Sequence, residues 1–291
     1  MSRSRITQAG IATVALRGLQ SNLTRMQTLQ NQLSSGKAIS RPSDDPSGTV
    51  SAMTLRSRRA GDEQYLRNID QGIGRLTVTD NALTQLSDRL RSIRELVIQS
   101  RDGAIGTSSQ AAIAAQITAV GSEVTDLYNT TYLDRPIFGG TTAGKTAVDA
   151  TGAYVGDDGA VPVRISSDAV VRTDITGTAA GANTVPGMIA QVAADVVSAT
   201  GASDADLDNL DAALSRVAQA LGDVGARSER INQTRTMVDS HRLDLTSRIS
   251  MNEDVDMPEA IMNLSSAQVA YQAALQSAAK IQQTSLVDFL K

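Results

Sequence analysis

The chain of 291 residues contains no cysteine, which excludes disulfides, thiolate chemistry and sulfur-ligated metal but leaves the compartment open. It has no tryptophan, two phenylalanines and 2% aromatic residues, so Ala, Leu, Ile and Val must fill any interior. Aliphatic helices packed closely through alanine suit that composition better than a large mixed core. No run of 18 apolar residues is present, so no segment is expected to insert into a membrane. Ser2, Arg3, Ser4 and Arg5 are not followed by the continuous apolar stretch of a cleaved signal peptide, and Sec-type secretion is not expected. The single histidine, His241, has no partner at metal spacing and reads as a surface or bundle-packing residue. No cofactor or metal is expected.

The formal charge of −4 conceals a polarity along the chain. Residues 1–60 carry nine Lys or Arg against Asp44 and Asp45, whereas residues 200–291 carry eight against thirteen Asp or Glu. The two ends can attract one another, within a chain or between chains. The basic end has no aromatic residue before Tyr65 on which a base could stack, so nucleic-acid binding is not expected.

What the chain does have is two apolar stripes at its ends. Residues 5–35 and 257–285 each read as one long helix. Leu16, Leu19, Leu23, Met26 and Leu33 follow the 3-4-3 spacing of a coiled-coil seam, broken by Gln30. Ile261, Leu264, Tyr271, Leu275, Ala278 and Ile281 do the same at the other end. A single striped helix is marginal in water, because ordering it costs roughly 1–2 kcal/mol per residue and its stripe has nothing to bury against. Such ends call for partners, and these residues are the candidate assembly interface.

Between them the spacing predicts five segments: an N-terminal coiled-coil helix over 1–40, the first half of a helical rod over 41–133, a β-rich insert over 134–187, the second half over 188–252, and a C-terminal coiled-coil helix over 253–291. Helical spacing persists from about 46 to 101, from 108 to 130 and from 203 to 250. Alternation at Val161, Val163 and Ile165, and again at Val170, Arg172 and Asp174, suits short strands. The fold class is therefore mainly α: a long helical bundle and coiled-coil rod formed by paired N- and C-terminal segments, with a small β-rich insert. The order is out and back, so the ends should meet.

Local motifs refine this. Gly36 suits a left-handed helix end. The connector holds Arg41, Pro42, Asp44, Asp45 and Pro46. An aspartate pair beside proline reads as a helix cap, with Pro46 at the first helical position, and not as an acid/base pair. Asp204, Asp206 and Asp208 imitate a calcium loop, but Asn209 stands where Gly is required and Ser215 where Glu is required. Ser203 capping a helix with an acidic first turn explains them better. Asp256 and Glu259 read as a capping box. Gly72 and Gly74 lack the third glycine and the strand of a nucleotide loop. No nucleophile and base, metal cluster or phosphate loop is found, so no enzyme is expected.

Residues 29–48, LQNQLSSGKAISRPSDDPSG, closely resemble the N-terminal signature of the bacterial flagellin superfamily, and the likeness extends over roughly residues 5–130 and 200–291. Arg41 to Pro46, Phe138-Gly139-Gly140-Thr141 and the ending Ser285 to Leu290 resemble its hook-associated junction members more than its filament flagellins. The resemblance implies terminal helices that order and pair on assembly, a helical rod, an outward insert, and export by the flagellar type III pathway without cleavage. It implies a structural role as hook–filament junction adapter in a homo-oligomeric tier, with hook-associated protein 1 and flagellin as neighbours. Leu286, Phe289 and Leu290 would then offer a grip to an export chaperone. The alternative within the superfamily is the filament flagellin itself.

Overall fold

Apolar residues three and four apart fill most of α2 (Pro46–Ser100) and α6 (Asp204–Glu253), and this spacing builds the fold. A computed structural model describes residues 8–102, 106–198 and 201–289, with side chains described for these except 8, 9, 11, 12 and 280–289. The chain divides into two units, one of residues up to Ala60 together with those from Arg242 onward, the other Gly61–His241.

In the Gly61–His241 unit, Leu83, Leu86, Leu90, Ile93 and Val97 of α2 are fully buried, as are Leu210, Val217, Val224 and Ile231 of α6. Ala213 and Ala220 lie buried between the larger α6 residues, where small side chains permit close approach. Each large aliphatic buried this way contributes about 1.5–3 kcal/mol. Ion pairs flank the seam: Arg235 to Asp70 at 3.2 Å, Arg94 to Asp211 at 2.7 Å and Arg101 to Asp204 at 2.7 Å. The partners climb α2 as they descend α6, so the two helices run antiparallel in one register. His241 continues that ladder, with Nδ1 2.7 Å from the buried carboxylate of Asp62.

Helices α3 (Thr107–Tyr128) and α5 (Val185–Val196) pack on one another and close the bundle through Ile117, Val124, Ile189 and Val192. Tyr128 ends α3 in the core. Its hydroxyl donates to the Ala180 carbonyl at 2.9 Å, and its ring meets Phe138 edge-on with centroids 5.7 Å apart. Burial pushes its hydroxyl pKa far above the ordinary range.

The β content of the insert is slight: β1 (Thr131–Tyr132) pairs with β2 (Arg135–Pro136), and β3 (Pro162–Arg164) pairs with β4 (Val170–Arg172), both antiparallel. Two-stranded ribbons this short cannot form a core of their own. Instead Ile137, Phe138, Val148, Ile165, Val171 and Ile175 join the helical core. On β4 it is Val171 that points inward while Val170 faces solvent, one step out of phase with the alternation expected from the sequence. Asn129 ties the insert to α3: its amide donates to the Val148 carbonyl and its oxygen accepts from the Ala147 and Val148 amides. Helix resumes earlier than the sequence pattern suggests, at α4 (Gly177–Ala180), where the Thr176 hydroxyl accepts from the Ala179 amide.

The other unit holds α1 (Gln8–Ser35) and α7 (Met257–Phe289), which pack along one another. Ser203, in turn, caps α6 as a box in which its backbone amide and hydroxyl both donate to Asp206 at 2.8 Å.

The Leu90→Ala variant should lose about 2–5 kcal/mol of unfolding free energy, read as a lower urea midpoint with an unchanged slope.

Candidate assembly interface

Gly36 ends α1 in the left-handed conformation, with φ +70°. The chain then turns back, and an antiparallel bridge forms between Lys37 and Asp254 just before α7 begins. The Ala38 amide donates to the Glu253 carbonyl at 2.7 Å, and the Val255 amide donates to the Gly36 carbonyl at 3.1 Å. This bridge makes α1 and α7 antiparallel neighbours and sets their register.

Charges lock it. Glu253 is 4% exposed, accepts from Arg56 at 2.6 Å and has the Lys37 ammonium 3.7 Å away. Lys37 also pairs with Asp254, which accepts from the Ser250 hydroxyl. The Lys37 hydrogen bond is the main cause that holds the Asp254 pKa below the usual carboxylate range. Asn252 near the end of α6 donates to the carbonyl of Gly48 in the first turn of α2 at 2.8 Å, which ties the two helix ends together.

The aspartate pair of the connector does two different jobs. Asp44 accepts from the Arg41 amide at 2.8 Å and from the Ser40 amide and hydroxyl, which closes the turn. Asp45 caps α2, accepting from the Gly48 amide at 3.0 Å and from the Ser47 amide and hydroxyl, with Pro46 as the first helical residue. These hydrogen bonds, the Arg41 amide first for Asp44 and the Gly48 amide first for Asp45, depress both pKa values. At the start of α7 the Asp256 carboxylate accepts from the Glu259 amide at 3.2 Å.

The stripe residues sit on this pair of helices, and the pair covers them only in part. Leu16 is 59% exposed, Leu23 37%, Ile261 55% and Leu275 44%. Leu19, Met26, Leu33, Leu264, Tyr271 and Ala278 are half-buried. No described side chain of α1 is fully buried, and on α7 only Ala260 and Ala267 are, among the described residues. Small residues such as these do not stand out in an apolar stripe made of leucine and isoleucine. The side chains of Ile281, Leu286 and Phe289 lie outside the described residues, as does Leu290 altogether. Further apolar side chains, Val14, Met262 and Val269, face outward beside the seam. The Arg56–Glu253–Lys37 lock was also missed; its signal was the charge polarity between the chain's ends.

Chemistry is absent from this surface. Among the described residues no cluster of three or more His, Asp or Glu could hold a metal, and no helix is long and apolar enough to cross a membrane. What the geometry offers is a two-helix ribbon with an ordered base and uncovered apolar edges.

The profile of the bacterial flagellin N-terminal helical region matches residues 6–142, and that of the bacterial flagellin C-terminal helical region matches residues 207–290. The chain belongs to the bacterial flagellin superfamily. It is a structural component of the flagellum and not an enzyme. It is 27% identical over 286 residues to a flagellin of Bacillus subtilis, covering 93% of both chains, and 24% identical over 309 aligned positions to flagellar hook-associated protein 3 of Escherichia coli, covering 95% of this chain and 96% of that one. Its fold is that of a flagellar hook-associated protein of Vibrio parahaemolyticus, with a TM-score of 0.66 at 18% identity over 72% of this chain and 99% of that one.

Two outcomes are expected of the interface. Leu16→Ala should change the unfolding free energy of the free chain by less than about 0.5 kcal/mol, in contrast to Leu90→Ala, because its side chain remains largely in water. Asp44, Asp45 and Asp254 have pKa values depressed in the folded state, so their contribution is present above the unfolded value and is lost as pH falls through the folded ones. Protection factors of the Arg41 and Gly48 amides should fall once the pH drops below about 3.9, while those of Ile93 and Val217 are kept.

Proposed function

We propose that this chain is the hook–filament junction adapter, polymerising as a tier on hook-associated protein 1 and presenting a different surface from which flagellin filament grows. The observation that carries the assembly half of this reading is the uncovered seam: Leu16, Leu23, Ile261 and Leu275 remain accessible although α1 and α7 are already paired. Each apolar Å² that a neighbour removes from water contributes about 25 cal/mol, so the uncovered edges favour a second layer of helices. Head-to-tail contacts of this kind are heterologous and give rings or helical tiers.

The junction half is supported by residues. The connector Arg41, Pro42, Asp44, Asp45 and Pro46, the Phe138-Gly139-Gly140-Thr141 stretch and the ending Ser285 to Leu290 match the hook-associated pattern, and the likeness to the Escherichia coli hook-associated protein 3 runs along 95% of the chain. Residues 1–40 and 253–291 then serve as the assembling cords, 41–133 and 188–252 as the rod between them, and 134–187 as the outward insert. Export proceeds through the flagellar type III channel to the cell exterior, with Leu286, Phe289 and Leu290 as the grip for a chaperone. The filament flagellin is the second reading, favoured by the 27% identity to the Bacillus subtilis flagellin.

Deleting residues 262–291 should abolish incorporation at the hook tip while the Gly61–His241 bundle keeps its thermal transition. In a strain lacking the gene, flagellin should leak unassembled into the medium. Filaments of normal number in that strain would refute the junction role, and loss of filament protein without leakage would favour the flagellin reading.

A further inference from the structure

Arg75 lies on α2 with 8% of its surface exposed, and its Nε has no hydrogen-bond partner. One terminal nitrogen reaches the Ile137 carbonyl, at a long 3.4 Å. Asp174, a buried carboxylate of the insert, is near enough to act on Arg75 by its charge but makes no hydrogen bond to it, its oxygens being turned to other donors. It accepts from the Val161 amide at 2.7 Å and from both Nε and a terminal nitrogen of Arg172. A buried guanidinium with unused donors is costly unless a charge or acceptor reaches it. Burial is also the main cause that lowers the Arg75 pKa; the Asp174 charge opposes it in part, and the like charge of Arg135 adds to it.

Arg75 and Arg135 line the same pocket, together with Gln71, Leu133, Val163 and Thr173. Its volume is about 160 Å³, well under the roughly 300–1,000 Å³ of sites for cofactors and drug-sized ligands. A nucleotide does not fit; one carboxylate side chain does. Gly72 lines it, where a Cβ would press on Thr173, and nearby Gly74 lets Tyr132, another lining residue, pack close, since a Cβ there would collide with its hydroxyl. Those glycines seat the hairpins against α2.

The lip of the pocket is the β1–β2 turn. Leu133 and Asp134 both have positive φ, +50° and +60°, in a two-residue turn that ordinarily takes Asn-Gly. Leu133 is 73% exposed, so a branched apolar residue is held in an unfavourable backbone region with little internal packing to offset it. A contact from outside the chain would supply what the fold lacks.

We propose that this pocket is a carboxylate-binding site, filled on assembly by an acidic side chain from the C-terminal third of a second copy, with Leu133 packing against the same neighbour. Charge complementarity supports that source: residues 200–291 carry thirteen carboxylates against eight cations, and although several are paired within the chain, Asp208 and Glu259 are exposed. The forked guanidinium geometry selects a planar carboxylate. The second-copy source rests on the assembly role above; the anion site does not.

Two measurements separate these parts. In the free chain, acetate titrated against chloride at constant ionic strength should shift the Arg75 Nε–H resonance saturably. Arg75→Met, which removes the reporter itself, should not lower the melting temperature, since an apolar chain replaces a buried charge with an open donor; a clearly lower melting temperature would count against an open donor there. Arg135→Gln, a surface change, should weaken the acetate response and keeps the test valid if Arg75→Met misfolds. No acetate response beyond that of chloride overturns the anion site. Because the chain has no cysteine, Leu133→Cys introduces a unique thiol. Maleimide should label it in the free chain and fail to do so in isolated flagella, and a folded variant that no longer incorporates supports the same conclusion. Equal labelling in both forms overturns the second-copy occupant while leaving the flagellar role standing.

Discussion

Two helices laid side by side can cover only one stripe each, and everything about the ends of this chain follows from that constraint. α1 and α7 pack along one another and Ala260 and Ala267 are buried, yet Leu16 and Ile261 stay more than half in water. A third helix would be needed to bury them, and the chain supplies none to this pair among the described residues. The ribbon is therefore a half-finished core. On the proposed assembly role, the missing half would come from neighbours, which would couple the ordering of the ends to assembly.

The ribbon must nevertheless be held in one register before it meets a neighbour. The antiparallel bridge at Lys37 and Asp254 does this with backbone hydrogen bonds, and Glu253 adds a nearly dry carboxylate between Arg56 and Lys37. A buried carboxylate so placed cannot tolerate a slip, because any shift would leave it unpaired. The capped turns at Asp44 and Asp45 keep the connector from fraying. The connectors are thus hydrogen-bonded throughout while the edges of the ribbon stay uncovered. The bundle of the Gly61–His241 unit, by contrast, is complete in itself, with Leu90, Ile93, Val217 and Ile231 fully buried.

Much of this was legible in the residues. Heptad spacing over some fifty positions of α2 and α6 leaves no competing period, so those helices and their buried faces could be read directly. Caps at Asp45, Ser203 and Asp256 were legible because capping is local, carried by a side chain and an amide two or three residues on. The insert was harder. Its strands are two or three residues long, too short for alternation to establish a phase, and Val171 took the inward position that Val170 and Arg172 were placed beside. Arg75 was invisible as a site because its spacing on α2 resembles that of any solvated arginine; only the hairpins folded over it make it buried.

The sequence by itself determined the helices, their caps, the apolar stripes at both ends and the superfamily, since each depends on neighbours within a few residues or on motifs read in order. Tertiary structure alone decided that Glu253 would lie between Lys37 and Arg56, partners some 200 residues away, that Asp174 would be taken by Arg172 while Arg75 kept an open donor, and how much of each stripe would remain in water. Those outcomes depend on which surfaces meet after the chain has turned back on itself, and no local spacing encodes the distance between residues that only folding brings together.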